Sequence, residues 1–524
     1  MKSYLDFKLE KILLIGLFLV LGIINVNATI IPACLFQDHM VLQQGQLVPV
    51  WGTANPDEQV IVSIGKQVQS TLTGKDGKWR VNLAPLTSGG PFEMTLKGEN
   101  TVILKDIYVG EVWLCSGQSN MDMTVAREDR YWAGVINEKE EIAAANYPQI
   151  RVFDTDFTPK DEPQTSVNGK WERISPETVG HLSATAYFFA RDLYNKYKVP
   201  IGLITTAYGA STAEAWISQP AIEAQGDLIF LIDNYIRKKA AYNPGYEELQ
   251  KLRDDMEKWK VDAAKAKAEG KDEVRAPKNR DPRVDQHNPC VLYNGMVAPL
   301  IPYAIRGAIW YQGESNGNTA GIYDKIMETL INDWRTRWGQ GEFPFLYVQL
   351  ANHQQLITDP VKDDPMVQVR NAQLKNLSVA NTGMVVAIDN ADPNDPGNIH
   401  PKNKQEIGKR LALIARAKVY GESIPYSGPI YSYMLLNGNK VKLSFDHADG
   451  GLLTKGDKLT GFAIAGADRK FVHAQAIIEG NNVIVSSSEV ENPVAVRYGW
   501  AKNPPVNLFN KAGLPASPFR TDSW

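Results

Sequence analysis

Val112-Trp113-Leu114-Cys115-Ser116-Gly117-Gln118-Ser119-Asn120-Met121 is the stretch on which the fold turns. Four apolar residues in a row read as a strand buried on both faces, because a strand with one wet face would alternate. The small and polar residues that follow end the strand in a tight loop. The same grammar recurs downstream. Ile201–Thr205 runs into Tyr208-Gly209-Ala210-Ser211, Ile305–Trp310 into Tyr311-Gln312-Gly313-Glu314-Ser315-Asn316, and Met384–Ile388 into a loop ending in His400-Pro401-Lys402. Phe345–Leu350 is a further apolar run, and Ala184–Tyr197, Tyr323–Trp338 and Lys404–Lys418 carry apolar residues at helical spacing. Continuously apolar strands interleaved with amphipathic helices predict an α/β domain whose parallel sheet is covered on both faces.

Outward from that core the pattern is β on both sides. Val48–Trp51 and Val60–Ile64 are strand-like. An Asp76-Gly77 turn precedes alternating Trp79, Val81 and Leu83, and Phe92, Met94 and Leu96 alternate again. Past about residue 420, Asn437-Gly438-Asn439 and Glu479–Asn482 link two further pairs of strands. The expected organisation is an N-terminal β-sandwich domain over 29–105, an α/β domain over 106–419 and a C-terminal β domain over 420–524. A stretch rich in Lys, Glu, Asp and Ala, at about 240–285, reads as a solvated helical insertion without chemistry.

At 524 residues the chain exceeds one ordinary core, and 44% hydrophobic with 22% charged residues is a globular composition. A net charge of −3 offers no footprint for nucleic acid or an anionic membrane, so neither is expected as a partner. Lys2, Lys8 and Lys11 precede an apolar run from Ile12 to Ile24 and small residues ending in Ala28. That order is a signal peptide over 1–28, with an apolar part too short to span a bilayer comfortably. A periplasmic or secreted mature chain without membrane insertion is expected. Cys34, Cys115 and Cys290 make no disulfide framework, and the seven histidines are scattered, so no metal and no cofactor are expected. Oligomeric state is left open.

In an open parallel sheet the loops after the carboxyl ends of the strands share one edge, so four segments far apart in sequence converge there. Their residue types suit acyl transfer. A serine hydroxyl becomes a nucleophile when an imidazole takes its proton, and fixed donors must meet the oxyanion that forms. Ser119 supplies the nucleophile and one N–H, Gly209 another N–H, Gln312 a side-chain amide and His400 the base. Asn316 competes with Gln312 as amide donor. The Gly-x-Ser-x-Gly elbow of α/β-hydrolases is absent, since Met stands at 121. Trp216, Glu314, Asn316 and Arg370 are candidate substrate contacts, with core packing the rival reading for Trp216 and a buried loop-positioning carboxylate that for Glu314.

The blocks Gly117-Gln118-Ser119-Asn120-Met121, Tyr208 to Trp216, Trp310 to Asn316 and Ile399-His400-Pro401-Lys402, with Gly513 to Thr521 near the end, resemble the sialate O-acetylesterase family. The resemblance implies a three-layer α/β/α, SGNH-hydrolase-like core with a parallel sheet, flanked by N-terminal and C-terminal β-sandwich-like domains, and no metal. It also implies a serine esterase acting on O-acetylated sugars or glycans, foremost 9-O-acetyl sialic acid. Acetylated hemicellulose is the alternative substrate, and a non-catalytic glycan-binding protein the reading from another class. This sequence departs from the family at Ala210, where a second glycine is usual, and at Gly397, where related enzymes carry an Asp three residues before the histidine. The orienting partner of His400 is then the Asn398 carbonyl or the carboxylate of Asp392 or Asp395.

Overall fold

In the computed structural model, which describes residues 30–128, 130–269, 271, 274–392 and 395–524, Val112–Gly117 of the quoted stretch ends one long strand, Thr101–Gly117 (β1). The expected signal peptide lies outside the described residues. Six more strands complete the central sheet: Tyr147–Thr155 (β2), Gly169–Ile174 (β3), Ile201–Ala207 (β4), Gly307–Tyr311 (β5), Phe345–Val348 (β6) and Thr382–Val385 (β7). They lie in the order β3-β2-β4-β1-β5-β6-β7, parallel throughout except for β3 at the edge. Neither β2 nor β3 is among the strands that the sequence predicts. Both carry charged residues, as suits strands at the margin of a sheet, and so lack the apolar runs of the centre.

Alternation along β1 divides the core. Trp113 and Cys115 pack on one face with Phe189 and Leu411, while Val112 and Leu114 join Trp310 and Trp334 on the other. The first face is covered by Ala184–Tyr197 (α2) and Lys404–Lys418 (α5), the second by Tyr323–Trp338 (α3) and Pro365–Lys375 (α4); a single turn, Ser119–Asp122 (α1), follows β1. The helix ends follow local chemistry. Ser183 caps α2 through the Ala186 N–H (3.2 Å), Asp364 caps α4 through Met366 (2.9 Å) and Asn403 caps α5 through Glu406 (3.2 Å). Gly339, left-handed at φ 66°, ends α3. The core is the expected three-layer α/β/α arrangement.

The N-terminal β region is not joined to this core by a linker. The amino half of β1 pairs with Gly89–Lys97 and with Val41–Gln43, and its carboxyl half pairs with β4 and β5. The boundary expected between 105 and 106 therefore falls inside one strand, at Asp106, whose φ of 56° kinks it. After α5, two four-stranded antiparallel sheets face each other around Val441, Leu443, Ile464, Val483, Tyr498 and Phe519. The charged insertion is helical over Tyr246–Ala268 and exposed at most positions. All three cysteines are free thiols.

Candidate active site

The register of the sheet brings the strand ends level. Gly117 pairs with Ala207 of β4 and Tyr311 of β5, so the segments after β1, β4 and β5 leave the same edge side by side. Here β1 lies between strands that come later in the chain on both sides, the switch point at which such sheets bind ligands. Gly117 is needed for this: at φ 146° a Cβ would stand 2.2 Å from the Tyr311 carbonyl oxygen. The backbones are stitched by Gln118 N–H to Tyr311 O and Tyr208 N–H to Gly117 O, both 3.0 Å.

Ser119 opens α1 and is 8% exposed, enough to be reached. Its Oγ lies 2.8 Å from His400 Nε2. The first N–H groups of a helix have no intrahelical acceptor, so the Ser119 N–H is left for another partner. Gly209 sits against Ser119, where an added Cβ would be 3.9 Å from the Ser119 Cβ. Ala210 beside it is left-handed at φ 57°, a conformation glycine adopts without the cost of a side chain.

Asn120 ties the site together from behind. Its Nδ2 donates to Glu314 Oε1 (2.6 Å) and to the Ile399 carbonyl (2.9 Å). Its Oδ1 accepts from Lys404 Nζ (2.7 Å), which also donates to the Pro401 carbonyl (2.8 Å). The loops carrying the serine, the glutamate and the histidine are thus joined through one amide. Burial pushes the Glu314 carboxyl up and the Lys404 ammonium down to about 7. Lys404 was not singled out in the sequence. The available signal was its place at the first position of a helix, where a cation opposes the helix dipole unless something holds it.

Among the described residues none of the expected orienters bonds the His400 ring. Asn398 gives its side-chain oxygen, not its carbonyl, and gives it to the His400 backbone N–H (2.9 Å). Asp392 and Asp395 line the same cavity of about 750 Å³ as His400, yet neither carboxylate bonds to the ring. Asp389 is held by Arg410 at 2.7 and 2.9 Å. Among the described residues Nδ1 has no hydrogen-bond partner. Gly397 explains the missing acid, since a Cβ there would lie 2.4 Å from the Gln354 carbonyl oxygen. Burial first, then the charges of Lys404 and His353, push the His400 imidazole down to about 3.

Several other candidates do not reach the site. Gln312 is fully buried and its amide donates to the Ser211 carbonyl (3.0 Å) and Asn316 Oδ1 (2.6 Å), which leaves no hydrogen for an oxyanion. Asn316 is spent in the same cluster, donating to Glu214 and Thr319. Trp216 is core, its Nε1 on Ser211 Oγ. Glu314 lies behind Ser119, on Asn120, rather than in the cavity. Arg370 is buried and donates to the carbonyls of Leu350, Ala351, Ala501 and Lys502, clamping the C-terminal β region to the sheet instead of awaiting a carboxylate. The cavity wall instead presents Lys402 of the histidine block together with Tyr131, Trp132 and His353, which no sequence motif singles out.

The sequence profile of the family described as carbohydrate esterase, sialic acid-specific acetylesterase, matches residues 109–243 and 287–416. The interval between the two matched stretches contains the charged insertion. The chain is 30% identical to human sialate O-acetylesterase over 536 residues, covering 93% of this chain and 91% of that protein. It is 31% identical to the rat sialate O-acetylesterase over 453 residues, covering 79% and 78%. Among solved structures, a carbohydrate acetylesterase from Xanthomonas citri superposes with a TM-score of 0.78 at 33% identity, covering 95% of this chain and all of that one.

Proposed function

The chain belongs to the sialic acid-specific acetylesterase family of carbohydrate esterases, and on that premise we propose that Ser119 and His400 carry out its removal of O-acetyl groups from sugars. The observation that carries the assignment is the 2.8 Å contact between Ser119 Oγ and His400 Nε2 at the mouth of the sheet. His400 takes the hydroxyl proton as Oγ attacks the acetyl carbonyl carbon. The oxyanion is met by the N–H groups of Ser119 and Gly209, each such donor being worth about 3–4 kcal/mol in related chemistry. Collapse expels the sugar oxygen, which takes the proton back from His400. Water, deprotonated by the same imidazole, then attacks the acetyl carbon, and acetate leaves as the Ser119 oxygen takes that proton back.

The substrate we propose is an O-acetylated sialic acid, on the strength of the names of the mammalian relatives. A neutral acetylated glycan is the second reading, favoured by the cavity wall. Arg370 is committed elsewhere, and Asp392 and Asp395 stand beside Lys402 in that wall. We further infer export, from residues 1–28.

Acetate release from 9-O-acetylated sialic acid and from acetylated xylan, each with Ser119→Ala alongside, tests both points. Ser119→Ala should lose at least about 10⁴-fold in kcat while folding normally. Labelling of a different serine by an organophosphorus reagent would overturn the assignment.

A further inference from the structure

A serine hydrolase must fix the ring of its base and stabilise the imidazolium that forms on attack, tasks commonly met by one carboxylate. No acceptor meets His400 Nδ1 among the described residues. What does meet the ring is Trp132, with centroids 5.0 Å apart and planes at 37°. We infer that Trp132 is the positioning residue of His400, holding the imidazole toward Ser119 and offering its π face to the imidazolium. The inference rests on the assignment of Ser119 and His400.

Trp132 is itself fixed from both sides of the site. The Arg130 guanidinium lies 5.2 Å from its ring centroid and donates to Asp122 Oδ2 at 2.9 Å. Asp122 belongs to α1, the turn that Ser119 opens. The segment carrying Trp132 is then fastened to the histidine loop, by Ile136 N–H to the Lys402 carbonyl (3.2 Å) and by Gln405 Nε2 to the Ile136 carbonyl (2.7 Å). A circuit results: the serine turn, Asp122, Arg130, Trp132, His400 and back to Ser119. An aromatic face attracts a cation within about 6 Å of its centroid, and a contact of this kind, from exposed to desolvated, changes a rate by about 2- to 30-fold. The neutral ring, held by burial in its uncharged form, gains little from the indole; the imidazolium of the transition state gains most, so the contact acts on kcat.

Trp132 also lines the cavity, so the test must separate a sugar contact from a hold on the histidine. Trp132→Leu keeps an apolar filler without the π face, and Trp132→Phe restores that face. Both are assayed on 4-nitrophenyl acetate, which has no sugar, and on an acetylated xylan, with the rate of Ser119 labelling by a fluorophosphonate as a turnover-free readout. The expected result for Trp132→Leu is a roughly tenfold loss of kcat on both esters and a matching loss in labelling rate. Trp132→Phe should recover to within about threefold of the parent. A loss confined to KM for the xylan, or Phe no better than Leu, overturns the inference. Arg130→Met leaves the indole but releases it from Asp122, and covers the case in which the Leu variant fails to fold. It should lose about threefold in kcat on both esters, and an unchanged kcat overturns the inference. Failure of the parent to label at Ser119 would instead strike the assignment of the nucleophile.

Discussion

Acidification separates a histidine placed as His400 is from an ordinary one. Its burial, the nearby Lys404 ammonium and His353 hold the imidazole at about 3, against 6.5 unperturbed. A general base works as the neutral ring, so activity is full above the governing pKa and lost as pH falls through it. At about pH 5 an ordinary imidazole is only ~3% neutral, and kcat/KM would stand ~30-fold below its plateau. A ring titrating at about 3 is still ~99% neutral there, and the rate is unchanged. Lys404, held at about 7, gains its full charge as pH falls to that value, so the like charge that lowers the imidazole is present throughout the acid limb. The assay is the initial rate of 4-nitrophenyl acetate hydrolysis at constant ionic strength, with the Ser119→Ala rate subtracted at each pH. The expected kcat/KM at about pH 5 is within twofold of the neutral value. Lys404→Met should move the acid limb upward, because a like charge beside the imidazole is removed. An acid limb near the ordinary imidazole range in the parent enzyme refutes the reasoning.

Asp392→Asn and Asp395→Asn should each cost less than about tenfold in kcat, since neither carboxylate bonds the ring; a loss approaching ~10⁴ would make that aspartate the orienter after all. Gly397→Ala forces a methyl to within 2.4 Å of the Gln354 carbonyl oxygen, and should cost about 1–3 kcal/mol in a urea titration and lower kcat by shifting the histidine loop. Arg370→Met strips a shared donor from four buried carbonyls and should destabilise by about 3 kcal/mol or more, with the KM of the folded fraction for 9-O-acetylated sialic acid unchanged; a selective rise in that KM would return Arg370 to the substrate site. A chain beginning at Asp106 cuts through β1 and removes the partners of its amino half, so it should be poorly soluble; a soluble, fully active product would show that the N-terminal strands brace nothing.

The sequence by itself determined the architecture of the core and pointed to Ser119 and His400, which the fold brings to 2.8 Å from each other. Buried parallel strands must be apolar on both faces, so β1, β4 and β5 stand out as runs; α2, α3 and α5 show their caps and spacing, and their observed ends match the predicted ones. Ser119 and His400 were legible because each follows such a run at the edge where strand ends must meet. Only the tertiary structure decided what surrounds them. Whether Gln312 faces the oxyanion or Ser211, and whether Arg370 faces solvent or four carbonyls, depends on side-chain direction and on partners as many as 132 residues away. The continuity of β1 through Asp106 was hidden because Lys105 and Asp106 interrupt the apolar pattern, while pairing on both sides overrides local preference. The roles of Asn120 and Trp132 stayed invisible for the same reason: a buried amide bridge and a ring contact are relations between distant residues, and only Lys404, at its helix start, left a local sign.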